Sequence, residues 1–214
     1  VEAPADAEVS QELRARRRPP KVTMSRRTAL EDFPSLGHLG ECLAAGRLEE
    51  ADQVTRDLLL VLAGPAALER GFVLPAEAKG FRASDLRAID GAWRQHTGGQ
   101  LGYAAQRRAW DEAGRDWDAF MQQVGWLVRD PESDKALLRY WPRREFDYTP
   151  SAPGGHLPLT NMIRGRGLLK ALLEHDAWSD EAADGRAPSA PLGEEAAAAR
   201  EWWAEVLGAG DEPP

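Results

Sequence analysis

One cysteine, Cys42, stands among 214 residues, so no internal disulfide can form. A lone thiol fits a reducing compartment, and the chain is read as cytoplasmic. No apolar run reaches the roughly 18 residues of a membrane span, and no basic-then-apolar leader opens the sequence. Period-two alternation is also missing, which argues against a sheet. Enzyme signatures are equally scarce. There is no phosphate-binding loop, no dinucleotide glycine fingerprint, no G-x-S-x-G elbow and no HExxH. The four histidines, at 38, 96, 156 and 175, show no metal-ligand spacing among themselves or with Cys42. Asp85 and Asp90 stand five apart on one helix and diverge, so they make no acid–base pair. The expectation is a protein with no catalytic residue, no metal and no catalytic cofactor.

What the chain does have is charge sorted to its ends. The net charge is -8, yet residues 1–27 carry seven Arg or Lys against four acids, and residues 174–214 carry eleven acids against two arginines. The middle is nearly neutral and has no field to concentrate nucleic acid, so no specific nucleic-acid partner is expected. Residues 1–33 hold Pro4, Pro19 and Pro20 without sustained apolar periodicity, and read as a disordered basic linker. Residues 177–214 read as an acidic tail ending in an amphipathic helix, Glu194 to Leu207, with Trp202 and Trp203.

Between them, residues 34–176 read as one all-α domain. Leu36, Leu39 and Leu43 share a helical face that Gly46 ends. Leu48 to Ala63 forms a second helix with Glu49 and Glu50 in its first turn, stopped by Gly64-Pro65. Residues 64–83 read as a loop with a helical turn at Pro75 to Lys79. Ser84 caps a third helix, on which Leu86, Ile89 and Trp93 line one side. Tyr103 to Ala113 follows with Trp110 inward, then a helix capped by Asp116 and, after an irregular stretch, Gly167 to His175. That stretch, residues 127–163, is long, aromatic and rich in Pro, Gly and Arg, the profile of a functional loop.

The order of several short motifs carries further. Leu43-x-x-Gly-x-Leu-Glu-Glu-Ala-Asp-x-x-Thr55 is followed by Asp85-Leu-x-x-Ile-Asp-x-x-Trp93, then by Gly102-Tyr-x-x-Gln106 and Trp110. Val124-Gly-Trp126 and Gly155-His-Leu-Pro158 complete the set. This succession, over about residues 36–175, resembles the genomes-uncoupled-four family. The resemblance implies an all-helical, cupped-hand domain that binds protoporphyrin and magnesium protoporphyrin and stimulates magnesium chelatase. In that family the binding surface is built from loops, chiefly the one carrying Gly-His-Leu-Pro. Carried over, this places the pocket between about Trp141 and Arg166.

The residues there suit a wide apolar disc with two propionates on one edge. Trp141, Phe146, Tyr148, Leu157, Leu159, Met162 and Ile163 offer faces for the ring, and Arg143, Arg144, Arg164 and Arg166 offer partners for carboxylates. His156 is a further candidate, either as an axial ligand to a porphyrin metal or as a residue that bonds backbone and fixes the loop. The expected ligand is protoporphyrin IX or a metalloporphyrin, held non-covalently, and the expected role is carrier, sensor or regulator of a porphyrin-metal chelatase, with a chelatase subunit or another protein as partner. The alternative is a divergent protein-interaction module of a larger signalling protein that no longer binds porphyrin. Light proteolysis is expected to remove residues 1–30 without unfolding the remainder, because their composition buries too little apolar surface. Protection of Arg16 to Arg18 in a peptide-mapped digest would contradict it.

Overall fold

The computed structural model describes residues 33–129, 136–138, 146–160, 166–179, 197–201 and 204. Helix α1 spans Leu36–Ala44, with the Ser35 hydroxyl accepting from the His38 N–H at its start. Helix α2, Leu48–Leu62, is the centre of the domain: from Asp57 to Leu62 every residue is buried. The run Leu58–Leu62 at its C-terminal end is apolar on all sides and must be surrounded on all sides, while Glu49, Glu50, Gln53 and Arg56 keep one face of the earlier turns at the surface. Helix α1 packs against it and against α5, Ala83–Thr97.

The stripe on α5 behaves as its spacing predicts, with Leu86, Ile89 and Trp93 fully buried. Trp93 donates its indole N–H to the Thr55 hydroxyl at 2.9 Å, and that hydroxyl donates to the Ala51 carbonyl at 2.8 Å. A large ring thereby enters the core with its one polar atom satisfied.

Two local expectations are corrected. Gly64-Pro65 does stop α2, but Pro65 also opens α3, Pro65–Arg70, since a proline at the first helical position gives up no intrahelical bond. The turn at Pro75–Lys79 forms as α4. Ser84 does not cap α5. The helix begins two residues earlier than such a cap would set it, behind Arg82, whose guanidinium meets the Asp85 carboxylate at 2.8 and 2.9 Å and braces the first turn.

Helix α6, Tyr103–Glu112, carries Trp110 inward, and Asp116 caps α7, Trp117–Gln123, by accepting from the Ala119 N–H. Trp110, Trp117, Phe120 and Trp126 then form an aromatic group with centroids 4.2–6.0 Å apart. The sole departure from all-α among the described residues is a two-stranded antiparallel ribbon, β1 (Leu127–Arg129) with β2 (Ala136–Leu138). Three residues are too few for alternation to register in a sequence. Helix α8, Gly167–Leu173, packs on α4 and α6, and a 3-10 turn at Asp176–Trp178 closes against α5.

Residues 1–32 and the stretch 180–196 lie outside the described residues, and so do Trp202 and Trp203. In the tail, residues 197–201 are helical, Ala199 is buried, and the Arg200 guanidinium lies 5.9 Å from the centre of the Phe33 ring. The described helices are all too short or too polar to cross a membrane.

Thr55→Val is expected to destabilise the protein by about 1–3 kcal/mol, because the Trp93 N–H is then buried without an acceptor. Combined with Trp93→Phe it should cost less than the two single changes added together, since the orphaned donor is gone. Chemical denaturation of the four proteins measures this, and strict additivity would show that the bond contributes nothing.

Candidate functional site

The segment 146–160 has no regular secondary structure, yet residues 155–160 are all buried. Such backbone needs partners, because an unpaired buried amide or carbonyl is costly. The fold supplies one to each of residues 155–159 in turn. Gly155 donates its N–H to the Gln100 carbonyl at 2.8 Å. The His156 carbonyl accepts from the Trp126 indole at 2.9 Å. The Leu157 carbonyl accepts from the Gly102 N–H at 2.9 Å, and the Pro158 carbonyl from the Gln106 amide at 2.7 Å. Leu159 donates its N–H to the Asp52 carboxylate at 2.6 Å. The Leu157–Pro158 peptide is cis.

Asp52 is completely buried on α2, and its other oxygen pairs with Arg56 at 2.8 Å, one turn on. A buried carboxylate held by a guanidinium and a backbone amide is a strong, directional anchor. Tyr103 lies close by, and burial, with the Asp52 charge, pushes its phenol well above its ordinary value, so it stays neutral. Asp90 has another role. It accepts from the Ala104 N–H at 2.9 Å and so fixes the start of α6. Burial raises its carboxyl, and that amide bond partly offsets the rise. Gly102, at φ 116°, sits so tightly against Asp90 that an added Cβ would lie 2.5 Å from the carboxylate oxygen. Gly155, at φ 76°, turns where a Cβ would press on Val124 and on the backbone of Gln106, so it makes a fixed turn.

His156 is 1 % exposed, and both its ring nitrogens are engaged with backbone. Nδ1 lies 2.6 Å from the Val124 carbonyl, and Nε2 accepts from the Asp147 N–H at 3.0 Å. The pair of bonds defines the tautomer: hydrogen on Nδ1, lone pair on Nε2. The imidazole thus ties the start of the segment to the end of α7, the arrangement of a loop-fixing histidine.

The sequence-predicted site residues divide into three groups. Leu157 and Leu159 are buried with His156 in the frame itself. Phe146 and Tyr148 are half-buried, Phe146 with its ring 5.8 Å from that of His156. Arg166 is exposed, 3.5 Å from Asp118 and 5.5 Å above the Trp117 ring. Trp141, Arg143, Arg144, Met162, Ile163 and Arg164 lie outside the described residues. Tyr148 also borders an open groove of ≈ 640 Å³, whose other wall is the α1–α2 turn and the outer face of α2, with Arg47, Glu50, Gln53 and Arg56. Sequence reasoning passed over that wall, and the two arginines on it are already paired with Glu50 and Asp52. It also found no metal spacing for Cys42, yet His38 and Cys42 stand four apart on α1, and Glu50 completes a close group with them.

The fold and the clamp define a class: a helical domain that holds one irregular loop rigid against its central helices. The chain belongs to the GUN4-like family, whose model matches residues 31–176. It is 39% identical over 132 residues to the "Tetrapyrrole-binding protein, chloroplastic" of Arabidopsis thaliana, covering 61% of this chain and 50% of that protein. It is 38% identical over 141 residues to a Ycf53-like protein of Synechocystis, covering 66% and 58%. The chain therefore spans about half the length of the curated relatives it matches. Its fold is similar to the ligand-free structure of Arabidopsis thaliana GUN4, with TM-score 0.59, 36% identity and coverage of 67% of this chain and 97% of that one. GUN4 from Chlamydomonas reinhardtii matches with TM-score 0.59, 36% identity, 68% and 90%.

His156→Ala is expected to cost about 2–4 kcal/mol, since it removes one buried and one partly buried bond and leaves the Val124 carbonyl without its donor. Proteolytic nicking within residues 146–160 should accelerate before global unfolding does. An unchanged Tm and cleavage pattern would show that the imidazole does not fix the loop.

Proposed function

We propose that the domain is a non-catalytic tetrapyrrole-binding protein, acting as carrier, sensor or regulator of a porphyrin-metal chelatase. The observation that carries the reading is the clamp on residues 155–159 in a chain 39% identical to a protein named for tetrapyrrole binding. The clamped segment is a fixed frame in sequence between residues 141–145 and 161–165, where half of the candidate ligand contacts lie.

On this reading the ring of protoporphyrin IX or a metalloporphyrin lies against Trp141, Phe146, Tyr148, Met162 and Ile163. Leu157 and Leu159 support that surface from beneath, being themselves buried. Arg143, Arg144, Arg164 and Arg166 are the propionate partners. Arg166 has only a long, exposed contact with Asp118 and a stacking contact over the Trp117 ring to give up. Arg47 and Arg56 are poorer candidates because their charges are already matched by Glu50 and Asp52. His156 acts by holding the frame, with both nitrogens committed to backbone. The partner, a chelatase subunit or another protein, belongs to the same proposal, as does a reducing, cytoplasmic setting read from the single Cys42.

Titration with protoporphyrin should quench tryptophan fluorescence and shift the Soret band, saturating at one ligand per chain. Affinity in the micromolar range, about -8 kcal/mol, is expected. Arg164→Ala with Arg166→Ala should weaken binding about tenfold, with the loss shrinking in high salt. Phe146→Ala with Met162→Ala should weaken it in a salt-insensitive way. No spectral change at tens of micromolar ligand would overturn the reading and favour an interaction module that has lost the ligand.

A further inference from the structure

On α1, His38 and Cys42 stand one turn apart, so both side chains leave the same face. Glu50, in the first turn of α2, reaches the same place from the neighbouring helix. One ligand atom from each, an imidazole nitrogen, Sγ and a carboxylate oxygen, lie within 4.8 Å of one another. His38 Nε2 and Glu50 Oε1 are 3.4 Å apart. Tetrahedral zinc, with bonds of about 2.0–2.2 Å to nitrogen and oxygen, sets its ligands about 3.4 Å from each other, so this edge already has the span. Sulfur needs about 3.6 Å, a closure on the order of 1 Å.

The three donors run from the interior to the surface. Cys42 is 0 % exposed, whereas the His38 and Glu50 side chains are 31% and 45% exposed. A cation among them would have three protein ligands and a fourth position open to water. A cation already stands there: the Arg47 guanidinium lies 3.6 Å from Sγ and 2.7 Å from the Glu50 carboxylate. Its side chain is 52% exposed at the α1–α2 turn, where ion pairs are screened by water and contribute little. Swinging it outward therefore costs little.

We propose that His38, Cys42 and Glu50 form a three-ligand site for zinc or a similar borderline divalent cation, with Arg47 holding the cation's place when the site is unfilled. Thiolate and imidazole donors favour zinc-like cations over magnesium or calcium, which take oxygen ligands. Burial pushes the Cys42 thiol up, so cation binding must displace its proton. The site uses none of the residues that bond to the 155–159 clamp, and its existence does not depend on tetrapyrrole binding.

Cobalt(II) added to the full chain tests this without any activity readout. The expected result is a near-ultraviolet thiolate charge-transfer band and the visible d–d bands of a tetrahedral centre, both bleached by one equivalent of zinc. Cys42→Ser should abolish the charge-transfer band. His38→Ala and Glu50→Gln, both at partly exposed positions, should each weaken zinc binding about tenfold or more while leaving the fold intact. Arg47→Ala should tighten it. Absence of the charge-transfer band in the unaltered chain would overturn the proposal. Zinc affinity unchanged by both His38→Ala and Glu50→Gln would do so as well.

Discussion

Four consecutive residues, His156 to Leu159, present buried backbone groups that no helix or strand can satisfy, and most of the architecture answers to that demand. Their partners come from α2, from the start of α6, from the body of α6 and from the turn between α7 and β1, through Asp52, Gly102, Gln106 and Trp126. Each partner is separated from its loop residue by thirty or more positions in the chain. A buried bond of this kind has a net worth of about 1 kcal/mol when made and a larger cost when broken on one side. The loop is therefore stable only if α2, α6 and α7 are placed correctly together, and its closure reports on the whole fold.

The secondary constraints follow from that clamp. Asp52 cannot sit in the core as a bare carboxylate, so Arg56 stands one helical turn away to match it. Gly102 must offer its N–H to Leu157 while leaving Asp90 close enough to reach Ala104, and only a residue without Cβ fits between. Trp126 is almost wholly buried, and its edge contact with Phe120 holds the indole N–H toward the His156 carbonyl. Even the tautomer of His156 is set by what surrounds it, one nitrogen facing a carbonyl and the other an amide.

Helix positions were legible in the sequence because each buries one face, and the spacing of Leu86, Ile89 and Trp93 needs no knowledge of partners. The motif residues were legible as a set, but their work was not. The aspartates of α2 and α5 look alike on a helical wheel, yet Asp90 fixes a helix start and Asp52 grips a loop 107 residues away. Helix α3 was hidden by a Gly-Pro pair that ends one helix and begins the next. The ribbon of β1 and β2 was too short to leave a pattern. The group at Cys42 is half visible: the i, i+4 pair of His38 and Cys42 lies in plain sequence, but Glu50 joins it only because α1 turns back sharply at Gly46. Long-range partners of buried polar groups have no periodicity, so spacing alone does not find them.

The clamp also bears on how such a domain would hold a large flat ligand. Association must offset lost translational freedom and the ordering of whatever touches the ligand. Side chains mounted directly on the 155–159 frame are already ordered, but Leu157 and Leu159 are buried in it and have little surface left to offer. The frame's contribution is therefore positional. Through the bond from the Asp147 N–H to His156, it limits where the neighbouring Phe146 and Tyr148 can stand. On the proposed reading, weakening the frame would raise the cost of ordering the contacts without removing any of them, so ligand affinity and loop stability would fall together. Removing a contact arginine would lower affinity and leave loop stability untouched. That difference separates residues that hold the frame from residues that touch the ligand, and the hydrogen bonds of His156 and Asp52 are of the kind that hold the frame.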